Sequence, residues 1–178
     1  MSEIELSRPI KIRQLPADPV LVDANEAERT ALAERFELPQ VDELRAELSL
    51  ERDGVAVLAS GPMHARFVQT CAVSHEDFPV EVYEDIALRF IDASTTRAAL
   101  ADDSEELEIE LSDKDLDEVE YSGDAIDLGE AIAQSLGLAI DPYAEGPHAD
   151  AARERAGIVA EGEQDGPLAE MLKGLKKD

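Results

Sequence analysis

The chain reads as an α+β domain: an antiparallel β-sheet, a meander of four to six strands, flanked by two short helices and followed by a flexible C-terminal tail. Three observations predict it. Apolar and polar residues alternate from Leu44 to Leu50, and Asp53-Gly54 then supplies a hairpin turn into Val55 to Leu58. Two segments, opening at Asp23 and Asp127, combine a capping residue with apolar residues at helical spacing. Beyond Pro142-Tyr143 the period disappears and Gly, Ala, Glu and Asp dominate. Residues 1–145 are therefore expected to form one domain, and 146–178 a linker ending in a short amphipathic segment.

In chain order, a short strand is expected around Ile4 to Leu6, then an extended basic stretch, Arg8, Lys11 and Arg13, broken by Pro9, Pro16 and Pro19. Asp23 with Glu26 three residues on makes a capping-box pattern, and Ala24, Ala27, Ala31, Leu32 and Phe36 give that helix a mostly small apolar face before Pro39. After the hairpin, Gly61-Pro62 reads as another turn. Ala65, Phe67, Cys71 and Val73 then share one strand face, with Gln69 interrupting. Val80, Val82, Ile86, Leu88 and Phe90 line a further strand with Glu84 the exception, and Leu107, Ile109 and Leu111 alternate with acids in another. The second helix is capped by Asp127 with Glu130 at the third position. It carries Leu128, Ile132 and Leu136 on one stripe, and Gly137 is placed to end it in a left-handed conformation.

Charge narrows the function classes. The 178 residues hold 42 acids against 16 bases, a formal net charge of -26, with 4% aromatics and no Trp. Such a field repels phosphate, which argues against a broad nucleic-acid groove built on stacking and basic charge, and favours basic partners. The excess is concentrated: residues 101–130 carry 14 acids against Lys114 alone. That block is expected to be solvated, and its stretch from Asp102 to Glu120 to attract a basic protein. Met1 to Arg13 include Glu3 and Glu5 and lack a signal peptide's apolar core, and no run approaches the roughly 18 apolar residues that cross a membrane. Cytoplasm is the expected compartment.

Catalytic signatures are missing: there is no phosphate loop, no dinucleotide fingerprint, no H-E-x-x-H and no G-x-S-x-G. Cys71 is the single cysteine, so it cannot form an intrachain disulfide, and the four-residue spacing to His75 does not set an imidazole against its sulfur. His64, His75 and His148 are far apart. Asp113, Asp115 and Asp117 alternate like calcium ligands but lack the turn glycine and closing Glu of such a loop. No catalytic, cofactor-binding or metal-ligating residue is expected, and no cofactor.

Two candidate binding features stand out. Half of the bases lie before residue 76, so Arg8, Lys11, Arg13 and Arg66 are a candidate basic patch; ordinary surface pairing with the 13 acids nearby is the alternative. Near the end, Leu168, Met171, Leu172 and Leu175 make one helical stripe followed by Lys176, a candidate partner-binding element. A helix this short is marginal alone, so it folds on a partner or docks back on its own sheet.

The segment Val68 to Phe78, V-Q-T-C-A-V-S-H-E-D-F, is followed by Ile126-Asp127-Leu128-Gly129-Glu130 and Leu136-Gly137-Leu138-Ala139-Ile140-Asp141-Pro142-Tyr143. Pro167-Leu168-Ala169 and Leu172 to Lys177 close the chain. In this order the segments resemble the YceD family, the large ribosomal RNA subunit accumulation proteins, in their alphaproteobacterial form. The resemblance implies a non-enzymatic role in the synthesis, processing or stability of large-subunit ribosomal RNA, with a large-subunit precursor, its RNA or a basic ribosomal protein, as partner. Many members carry C-x-x-C in the first segment, with zinc ligands downstream. Here Val68 stands at the first Cys position and Cys71 alone remains, so no zinc is expected. The rival expectations are an RNA-binding module using the arginine patch and, more distantly, an enzyme acting on RNA.

Overall fold

The computed structural model describes residues 5–94 and 117–158. The hairpin at its centre follows from the alternation. Strand β3 (Gln40–Asp53) pairs antiparallel with β4 (Ala56–Thr70), and Gly54 opens the two-residue loop at φ +60°. Leu44, Ala46, Leu48 and Leu50 point into the core with Ala59, Met63, Ala65 and Phe67 of β4. Gly61-Pro62, expected as a turn, lies inside β4 instead. The strand stays extended there, and Gly61 meets β3 so closely that a Cβ would overlap the Glu47 carbonyl oxygen. Glycine is required by that approach, not by a reversal of the chain.

Five strands form the main sheet in the order β2 (Val20–Asp23), β3, β4, β5 (Asp77–Asp92) and β6 (Asp117–Tyr121). The first four follow the expected meander, and Ile86, Leu88 and Phe90 of β5 are buried as their alternation requires. The sheet departs from an all-antiparallel plan at its edge, where β6 runs parallel to β5 with Leu88 opposite Asp117. The chain between Asp92 and Asp117 exceeds the roughly dozen residues a parallel crossover needs. The strand expected over 107–111 lies outside the described residues.

A second sheet pairs β1 (Pro9–Lys11) antiparallel with β7 (Ala125–Asp127). The first strand thus falls later than the expected Ile4–Leu6, and Leu6 is instead a fully buried core side chain. Ile12–Gln14 add one turn of 3-10 helix.

Helix α1 (Glu26–Arg35) is capped by Asn25, whose side chain accepts from the Glu28 N–H while Glu28 accepts from the Asn25 N–H. The box sits two residues later than expected because Asp23 is still paired in β2. Helix α2 (Leu128–Ala139) is capped by Asp127 as expected. It does not stop at Gly137, which remains helical; a Cβ there would stand 2.8 Å from the Phe36 ring, so the glycine answers to packing. Leu128, Ile132 and Leu136 join Leu32 of α1 and the inward residues of the sheet in one core. Across the helices Arg35 donates to both carboxylate oxygens of Glu130, each at 2.9 Å.

The chain divides into two units, residues up to 69 with 79–141, and 70–78 with the chain from 142 on. In the second unit, helix α3 (Ala149–Ala156) occupies part of the stretch expected as linker. Its alanines favour helix without making an apolar stripe, so no period announces it. Gly157 ends it at φ +68°, donating to the Arg153 and Glu154 carbonyls.

Candidate functional site

Between its core positions the main sheet presents a second set of residues to solvent. Cross-strand register sorts them into rows: Leu21 faces Glu47, Asp23 faces Arg45, which faces His64, and Glu43 faces Arg66. From β5, Tyr83 lays its ring against the His64 imidazole, with centroids 4.3 Å apart and planes 15° from parallel.

Charge surrounds this stack. His64 Nε2 lies 2.9 Å from Glu81 Oε1, and since a carboxylate only accepts, the ring carries a proton there. The Tyr83 hydroxyl donates to the same oxygen at 2.9 Å. These two hydrogen bonds, His64's first, hold the Glu81 carboxyl below its usual range, and the bond to Glu81 pushes the Tyr83 hydroxyl up. On the other side Glu43 forms an ion pair with Arg66 at 3.2 Å and lies 3.7 Å from Arg45, which also pairs with Asp23 at 3.0 Å.

Next to the stack the sheet carries an open groove of about 510 Å³. Leu21, Pro62 and Tyr83 give it apolar walls, while Glu47 and Asp85 rim it with carboxylates. Leu21 and Tyr83 are 64% and 72% exposed, a large apolar outlay for solvent-facing positions. The lining contains no Ser, Thr, Cys or Lys among the described residues.

The candidate basic patch is spread over both sheets. Arg8 enters β1 and clamps both carboxylate oxygens of Glu28, at 2.7 and 3.0 Å. Lys11 and Arg13 are exposed and form no ion pair with a described residue. Arg66 stands on the main sheet beside Glu43. The structure therefore brings Arg66 to the groove's neighbourhood and leaves the other three on the smaller sheet and its 3-10 turn. Leu168, Met171, Leu172, Leu175 and Lys176 lie outside the described residues, as do the acids from 101 to 116.

Cys71 sits in the second unit, in the turn between β4 and β5. Its sulfur accepts from the Val73 and Ser74 N–H groups at 3.4 and 3.3 Å. Bonds from Ser74, with smaller help from Gly146 and Val73, bring the thiol down to about 7 although burial opposes the shift. His75 stands exposed at φ +58°. Among the described residues no three His, Cys, Asp or Glu side chains gather as a metal site, and no described helix is long and apolar enough to cross a membrane.

Sequence reasoning reached His64 only as a possible metal ligand and passed over Tyr83 and Glu81. The available signal was the outward half of the alternation in β4 and β5, where an imidazole and a phenol recur among charges. Compared with family models, curated proteins and solved structures, the chain finds no match.

Proposed function

We propose that this protein is a non-enzymatic cytoplasmic factor supporting the synthesis, processing or stability of large-subunit ribosomal RNA, and that it works through a basic protein partner. The ribosomal part rests on the ordered segments from Val68 to Tyr143 and their closing lysine-rich end. The choice of partner rests on one structural observation: Arg8, Arg45 and Arg66 are engaged by carboxylates, whereas Glu47, Glu84 and Asp85 pair with no cation among the described residues. RNA affinity comes largely from cations neutralising phosphates, and engaged arginines on a chain of net charge -26 supply little of it. A basic protein meets the opposite situation.

Affinity capture from cells, with and without ribonuclease, tests this. Large-subunit ribosomal proteins should remain bound after treatment, and cells lacking the protein should accumulate less mature large-subunit RNA. Loss of every ribosomal protein on treatment would favour direct RNA binding, with Lys11 and Arg13 as its first candidates. Normal RNA levels in the deletion would remove the ribosomal role.

A further inference from the structure

We propose that the groove between Leu21 and Tyr83 docks an extended basic segment of the protein partner, seating an arginine or lysine against the Tyr83 ring and the carboxylate of Asp85. This deepens the preceding reading and rests on it for the kind of partner.

Shape and chemistry converge on that occupant. At about 510 Å³ the groove falls in the range of small recognition pockets, enough for a few side chains of an extended segment. Tyr83 is prepared for contact: His64 supports its ring and Glu81 anchors its hydroxyl, so binding a cation costs little rotamer freedom. An aromatic ring within about 6 Å attracts a guanidinium or ammonium, and its apolar edge accepts the aliphatic stem.

Electrostatics then selects among ligands. On this face the lining holds the carboxylates of Glu47 and Asp85 and the guanidinium of Arg45, which is already committed to Asp23 and Glu43. A cation entering the groove meets unpaired negative charge, while a phosphate meets repulsion with no available arginine. Leu21 across from Tyr83 supplies the apolar contact that turns a charge preference into a defined register.

The test uses the full chain, labelled with ¹⁵N, and an acetylated pentapeptide, Arg-Leu-Lys-Val-Arg, with a Glu-substituted control. The basic peptide should shift the amides of Leu21, Glu47 and Tyr83 to Asp85, and the control should not. Tyr83→Ala, and separately Asp85→Asn, should each weaken binding about tenfold, the size of loss an interface anchor shows. Glu37→Gln, at an exposed acid outside the groove lining, should change it less than twofold. Thermal melts of each variant confirm that the fold is retained. Undiminished binding in both groove variants overturns the proposal, as do shifts at the groove produced by a single-stranded RNA 20-mer. Equal loss in Glu37→Gln would reduce the effect to net charge and overturn it too. Peptide binding reads the groove alone and cellular capture reads the ribosomal role, so either can fail while the other stands.

Discussion

Gly129 meets Leu6 so closely that a Cβ on the glycine would stand 2.7 Å from the Leu6 carbonyl oxygen. The contact is with backbone, 2.9 Å also from the Arg8 nitrogen, so no side chain can swing away. Gly129→Ala should destabilise by about 1–3 kcal/mol or more, as overpacking does, despite alanine's higher helix propensity. Gly137→Ala meets the edge of the Phe36 ring instead. It should cost less, and become nearly neutral or stabilising in a Phe36→Leu background. Urea unfolding of the four variants checks the contrast; equal losses at the two glycines would refute it.

Asp127 closes two structures with one carboxylate. Oδ1 accepts from the Arg8, Gly129 and Glu130 N–H groups, and Oδ2 from the Ser7 hydroxyl at 2.6 Å. Asp127→Ala should cost about 2 kcal/mol, the upper end for a lost cap, because the Arg8 N–H loses its partner as well. Asp127→Asn, which keeps an accepting Oδ1, should recover more than half of the loss in the same unfolding experiment.

Acid should weaken the protein through identifiable pairs. Glu28, held chiefly by Arg8, and Glu130, held chiefly by Arg35, both titrate below their ordinary 4.5. With the folded value depressed, the unfolded chain binds more protons as pH falls past 4.5. The stabilisation is therefore complete above that pH and lost below it. Arg35→Met should flatten the fall of urea stability between pH 4.5 and the acid transition. An unchanged slope would show that the clamp contributes nothing.

Ultraviolet absorbance of the thiolate should report Cys71 ionising near 7. Ser74→Ala removes the hydroxyl bond, the largest cause of the shift, and should move the midpoint up toward the usual 9.0. A midpoint already near 9.0 in the native protein would contradict the geometry of the turn.

Local signals were legible where one physical rule acted alone. Leu44 to Leu50, the Gly54 turn, the Ile86–Phe90 face and the Asp127 cap each depend on neighbours within a few residues, and all appear in place. Gly61, Gly129 and Gly137 depend on what another segment brings near, so a glycine that reads as a turn or a stop was in fact a contact. The site was hidden for the same reason. Alternation tells which face His64 and Tyr83 take, but their stacking requires the register between β4 and β5, which period alone does not contain. Asp23 likewise looked like a cap because its commitment to Arg45 of β3 is invisible along the chain.

The pairing of Pro9–Lys11 with Ala125–Asp127 also has a meaning in time. A nascent chain emerges at roughly 5–20 residues per second, so β1 waits on the order of ten seconds for its partner to be synthesised. Meanwhile β2 through β5 can fold on one another, each beside its neighbour in sequence. Leu6 and Ile10 stay without their final cover until α2 is made. Strand β1 is thus a late joiner, and a product cut short before Ala125 leaves it an unmated strand edge.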